Sequence, residues 1–583
     1  LVLALTLVPL LIVLARRIRA GRWGEVAEAD RNLGWQPAAA AVAERPEAVP
    51  AAAGIGSRSR AALVAAGVIG LAAWFGLADF RSEVPALAAG RSAAVTAARA
   101  ELAARGITIP EGWRALSAVE GAPSIEDRFV WQEGGAEAYR DLLGSYVAPP
   151  RWLVRFTSFE GDVVERAEEY QVSVGPDGAV ERFSHRLPES RAGAQLESGA
   201  ARELARQAVA ERLGLDAGRL NEVSAEPEKR PERIDWRFVL SDKAAYPVEQ
   251  GDARVAVEIG GDEVVDAYRF VHVPEDWERG ERNRGSAAQL ARIVCTVAAI
   301  AIFVAGGVIG VVRWSKGRFS PRTFALAASV VVVLGLIGLA NSWPSITAQF
   351  SSAQPFALQA GMIVAGAVLL LVASATAMAL AIGLVHRWVP RQPSPFRVAD
   401  AAVAGGLGLA VAGAAAAAGR AAAPLDPTWP AFDAAGAASP FLAAALDPIT
   451  GWIAGTALLL LILTFVEVAS RSWTRWRVAL SVGLVLAGLV LAGSDGVETV
   501  PRWLAAGLVT GLLLWLAYVV VLRRHLALLP VAAAAMSSLS FVREGIFRAF
   551  PAALAGSLTA GLLVLVAGVL WSRALTADSQ APT

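Results

Sequence analysis

Two histidine–glutamate pairs are the residues best suited by type and spacing to do chemistry. One is His185-Arg-Leu-Pro-Glu189 and the other is His272-Val-Pro-Glu275. An imidazole titrates near neutral pH, and a carboxylate beside it can share its proton. Two such pairs brought together would also supply donor types that hold a metal. Their spacing is not that of ligands on one helix face. Each Glu follows a proline, which cannot donate to a strand ladder and so ends it. His185, Glu189, His272 and Glu275 therefore read as binding residues at strand ends, with no metal set among them. Other reactive patterns are missing. Gly260-Gly-Asp262 lacks the Gly-Lys-Ser/Thr of a phosphate loop, and residues 81–288 contain no Gly-x-Ser-x-Gly elbow. Cys295 is the single cysteine, which excludes an intrachain disulfide and a cysteine zinc cluster.

The elements that must position these pairs occur twice. Tyr170–Glu189 and Arg254–Glu275 each read as strand, glycine turn, strand, then His and Pro-Glu. The turns are Gly175-Pro-Asp-Gly178 and Gly260-Gly-Asp262. Ahead of each hairpin stands a short aromatic strand, Arg151-Trp-Leu-Val-Arg-Phe156 or Asp235-Trp-Arg-Phe-Val-Leu240. Ahead of each strand is an alanine-rich helix, Ser92–Arg105 or Gly199–Leu213. The pattern predicts a duplicated α+β block, each half a helix packed on a small antiparallel sheet.

That block lies between apolar runs. The 583 residues are 55% hydrophobic, with a mean hydropathy of +0.48, which suits a polytopic membrane protein carrying a water-soluble part. The runs predict about eleven transmembrane helices. Residues 1–15 form a short first span, and the Leu at position 1 reads as a truncated start. Residues 16–60 form a linker, 61–78 a span, 81–288 the soluble block, 289–573 a helical bundle and 574–583 a tail. Every second loop of the bundle is basic and the others are neutral or acidic. The positive-inside rule then puts the linker and tail in the cytoplasm and the block outside it. Trp277 reads as a membrane-surface anchor, and Trp452 and Trp571 as interfacial anchors. His386 and His525, beside arginines at span ends, read as snorkelling side chains. No ionisable group falls in mid-membrane, with Glu467 at a span's end. Gly405-Gly-Leu-Gly408 reads as a close-packing surface. No basic stripe of the kind nucleic acid requires is present.

Two resemblances enter here. The repeated helix-then-hairpin plan is similar to PepSY-type domains, which implies an extracytoplasmic module that binds or restrains peptidases. Trp152-Leu-Val-Arg-Phe156, His185-Arg-Leu-Pro-Glu189, Arg233-Ile-Asp-Trp236 and His272-Val-Pro-Glu-Asp-Trp-Glu-Arg279, with a multispan second half, resemble bacterial proteins grouped with the CPBP (CAAX-protease-like) intramembrane proteases. That resemblance implies a bacterial inner-membrane protein. It also implies Glu-Glu-x-x-x-Arg on one membrane helix and histidines on later ones, with zinc as a cofactor if the site is intact. Arg543-Glu-Gly-Ile-Phe-Arg548 matches in Glu544 and Arg548, but Arg543 replaces the first Glu and no histidine follows. A carboxylate without a second acid or histidine is a poor water activator. The expectation is therefore a membrane protein, in contact with lipid, whose block binds a peptide, protein or envelope partner. The alternative is a CPBP-like endopeptidase with a degenerate or missing catalytic segment.

Overall fold

A computed structural model describes residues 55–316, 319–389, 396–420, 424–471, 473–494 and 498–577. The expected first span and most of the expected linker lie outside them. The chain enters through helix α1 (Ser57–Leu77) and then builds the soluble block. In order the block comprises α2 (Arg91–Ala104), β1 (Arg114–Glu120), α3 (Ile125–Leu142), β2 (Arg151–Thr157), β3 (Glu169–Val174) and β4 (Val180–Arg186). There follow α4 (Ser198–Leu213), β5 (Asn221–Lys229), β6 (Ile234–Ser241), β7 (Asp252–Gly260) and β8 (Glu263–His272).

The strands form two separate antiparallel sheets, ordered β1-β2-β3-β4 and β5-β6-β7-β8. Each sheet thus has one strand more than the repeat predicts. β1 lacks the aromatic and turn signals of its neighbours, and β5 carries Pro227 and is largely exposed, which hides it from a pattern search. The expected hairpins are present, with Gly178 at φ 95° and Gly261 at φ 67° in their turns. Alternation drives the packing. Trp152, Val154, Phe156, Val172 and Val174 face α2 and share its core with Ala94, Ala98 and Leu102. Trp236, Phe238, Val255, Val257 and Ile259 do the same beneath Ala201, Ala205 and Val209 of α4. α3 was not expected. Its start is set by a capping box between Ser124 and Asp127, and Gly135 at φ 74° breaks it.

The membrane part follows without a break. α5 (Glu275–Ser315) leaves β8 directly, so Pro274 to Arg279 begins a helix. Trp277 meets Phe129 edge-on at 5.1 Å and donates to Glu133 at 2.9 Å, which corrects the surface-anchor expectation. Next come α6 (Pro321–Asn341), the short α7 (Trp343–Thr347), α8 (Phe356–Trp388), α9 (Val398–Arg420) and α10 (Pro440–Ala469). The last are α11 (Arg477–Ser494), α12 (Val500–Val520), α13 (Leu529–Phe547) and α14 (Ala553–Ala577). Among the described residues nine helices are long and apolar enough to cross a membrane, and Arg477–Gly493 is apolar but shorter. The protein is a helical multispan membrane protein in that sense. α10 begins before its expected start because Ser439 caps it and Pro440 takes its first turn. Trp452 and Trp571 meet edge-on at 5.8 Å inside the bundle, so these two are packing residues.

The block rests on one end of the bundle. Arg155 donates to the carbonyls of Ala348 at 2.8 Å and Phe350 at 3.1 Å. Glu83 N–H reaches Thr428 O at 3.0 Å, and Leu87 N–H reaches Ala549 O at 2.7 Å. Trp429 donates to the Tyr139 hydroxyl at 3.0 Å, and that hydroxyl donates to buried Asp127 at 2.8 Å. The connections α6–α8, α9–α10 and α13–α14 are therefore all on the block's side.

Candidate functional site

The two sheets meet along β4 and β8, through side chains and not through a continued ladder. Arg182 of β4 holds Asp266 of β8 in a fork, at 2.9 Å from Nε and 2.5 Å from Nη2. Its guanidinium also lies 3.8 Å over the Tyr268 ring. His185 sits on the same seam, buried and stacked on Tyr170 at 4.2 Å. Its Nδ1 is 2.7 Å from Glu263 and its Nε2 is 3.0 Å from Glu168. The imidazolium, which donates from both nitrogens, satisfies both carboxylates. Burial opposes that charge, but the hydrogen bonds to Glu168 and Glu263 outweigh it, so the His185 pKa is raised. The bond from His185, assisted by Arg191, holds Glu168 below the usual carboxylate range despite its burial.

The linker that follows β4 is clamped to the second half. Buried Arg233 donates to Pro188 O at 2.6 Å and Arg191 O at 2.8 Å while pairing with Asp235 at 2.7 Å. Glu189 pairs with Arg230 at 3.0 Å. Over this seam opens a cleft of about 750 Å³. Arg186, Arg230 and Arg237 line it together with Glu226, Glu228 and Glu258. These mixed charges suit it to a polar segment.

The two histidine–glutamate pairs do not converge. His185 lines the seam cleft, and Glu189 pairs with Arg230, which also lines it. His272 ends β8, opposite Asp252 in the ladder, and Glu275 opens α5. Glu263, which touches His185, is nine residues before His272, so about 30 Å of strand separates the pairs. Burial and Arg254 push His272 below its ordinary value. Among the described residues no group of three or more His, Cys, Asp or Glu is arranged to hold a metal. The seam partners Arg182, Glu168, Glu263 and Asp266 escaped sequence reading. Glu168 precedes β3, Arg182 lies on β4, and Glu263 and Asp266 lie on β8, and only the fold brings β4 against β8.

Glu544 and Arg548 lie at the block's end of α13. Glu544 accepts the Ala431 N–H at 3.2 Å, and Arg548 is the left-handed cap at φ 49°. His525 precedes the other end of α13 and is thus separated from Glu544 by most of the bundle's thickness. His525 and His386 are both buried in protein, which corrects the snorkelling expectation. Glu467 is likewise buried inside α10, with the Tyr518 hydroxyl donating to it at 2.5 Å. The expected span stopped short of Glu467, but the helix continues to Ala469. An ionisable group is therefore enclosed by membrane helices.

No protein-family model, curated protein or solved structure matches the chain. The PepSY and CPBP resemblances rest on the quoted sequence segments alone.

Proposed function

We propose that this chain is a non-catalytic receptor or regulator in a bacterial inner membrane, whose extracytoplasmic block binds a peptide or protein segment in the seam cleft. The carrying observation is the cleft itself, a largely polar cavity of about 750 Å³ where the two half-sheets meet. Arg182, Asp266 and His185 line it, so an occupant would touch groups that couple one half to the other. The block in turn holds three connections of the helical bundle through Arg155, Trp429 and Leu87. An altered angle between the halves thus has a physical route to the membrane helices. The proteolytic alternative has less support, because Glu544 is engaged by a loop amide and stands far from either membrane-end histidine.

The test is a photo-reactive amino acid placed at Arg237 in the cleft, with Val223 on the exposed edge strand β5 as control. In native membranes the Arg237 position should give a discrete adduct that Val223 does not. Equal labelling at both positions, or none at Arg237, would remove the cleft from consideration.

A further inference from the structure

A second cavity, of about 460 Å³, opens beside the seam, between the loop after α3, the end of α4 and β8. Four arginines line it, and two of them are already committed. Arg182 holds Asp266, and Arg151 holds Glu120 at 2.7 Å. The other two, Arg212 and Arg269, are not within ion-pair distance of any carboxylate among the described residues. Arg212 lies in the last turn of α4, and its Nη1 is buried with no hydrogen-bond partner. Arg269 spends Nη2 on Leu213 O at 2.5 Å, which anchors it to the same helix end. Burying an unpaired guanidinium nitrogen costs free energy, and Arg212, which lines the cavity without a carboxylate partner, carries that uncompensated charge to its wall.

The surroundings sharpen the demand. Arg105, at the end of α2, adds like charge, while Asp266, Glu263 and Glu211 oppose it less strongly. Burial and then Arg105 push Arg212 below its ordinary pKa. Glu126 and Glu181 also stand on the wall. Burial raises Glu181, which weakens its competition for the arginines, although Arg151 draws it back.

We propose that this cavity binds a phosphate group, gripped by the uncommitted edges of Arg212 and Arg269. Phosphate offers several oxygens and close to two negative charges, which matches two forked guanidinium groups better than one carboxylate does. The group can belong to a soluble phosphate or to a lipid headgroup that ends in a phosphomonoester, since a phosphodiester carries only one charge. The cavity shares Arg182 with the seam cleft, but Arg212 and Arg269 line only this cavity, so failure of the proposal leaves the proposed function standing.

The experiment is calorimetric titration of the full chain in detergent with inorganic phosphate and, separately, with short-chain phosphatidic acid. Saturable binding of at least one probe is expected. Arg212→Gln and Arg269→Gln should each weaken it roughly tenfold or more, as loss of a charge-assisted hydrogen bond requires. Arg212→Lys, which keeps the charge but not the fork, should lie between. Arg230→Gln, in the other cleft, should bind as the parent does. Tighter phosphatidic acid assigns a lipid source, and tighter inorganic phosphate a soluble one. Unsaturable binding of both probes overturns the proposal. So does undiminished binding by folded Arg212→Gln, or competition by succinate equal to that of phosphate.

Discussion

At the residue scale the seam is a titrating contact. His185 has a raised folded pKa, so its contribution is full below the ordinary histidine value of about 6.5 and is lost as pH rises through the folded value. Glu168 is lowered, so its contribution is present above the ordinary carboxylate range and is lost as pH falls through its folded value. The seam is therefore tightest in mildly acidic solution, between those limits. His185→Gln should cost about 1–3 kcal/mol there, the usual effect of removing a buried charged hydrogen-bond partner. Thermal melts of parent and variant should converge as pH rises above neutrality, and a gap that stays constant with pH would disprove an imidazolium at the seam. Glu544 lends itself to a simpler check. Its carboxylate holds the Ala431 amide, so Glu544→Ala should speed hydrogen exchange in the peptide containing Ala431. Unchanged exchange would mean that the contact contributes nothing.

At the element scale the glycines separate two kinds of position. α1 and α9 pack so closely that a Cβ on Gly406 would come within 2.6 Å of Leu63 O, and α9 meets α13 so closely that one on Gly408 would come within 2.1 Å of Ala532 O. A Cβ on Gly405 would meet nothing within 4 Å. Gly406→Ala should therefore destabilise by about 1–3 kcal/mol through overpacking. Gly405→Ala should be neutral or slightly stabilising, because alanine is the better helix former. Melting temperatures of the two variants decide it, and equal shifts would refute the close approach. The Gly405-Gly-Leu-Gly408 run announced a packing surface, but only the fold says which glycine faces a neighbour. The same limit governed the block. Strand alternation and turn glycines made β2, β3, β4, β6, β7 and β8 readable. β1 and β5 were not, because their signals depend on partners elsewhere in the chain. The seam needed the pairing of β4 with β8, which local pattern does not encode. Hydropathy located the membrane helices but misplaced their ends, since capping by Ser439 and burial of Glu467 lie outside an apolar count.

At the scale of the whole molecule, charge and contact together predict one orientation. The block touches the α6–α8, α9–α10 and α13–α14 connections. The opposite helix ends carry Arg313, Lys316, Arg322, Arg387, Arg397, Arg471, Arg475, Arg477, Arg523 and Arg524. Arg420, Arg502, Arg543 and Arg548 are on the block's side, and Arg502 is paired with Glu498 at 2.8 Å while Arg543 donates to Asp79 O at 2.9 Å. Retained Lys and Arg set orientation, so this excess predicts that the block faces away from the cytoplasm. A reporter active only outside the cytoplasm, fused after Gly285, should be active. One fused after Lys316, across the next span, should be silent. The opposite result at both positions would invert the protein, and with it the compartment from which any partner reaches the seam cleft. Activity at neither position would mean that a fusion disturbs α5, and the same reporters after Pro424 and Arg475 would then decide the orientation.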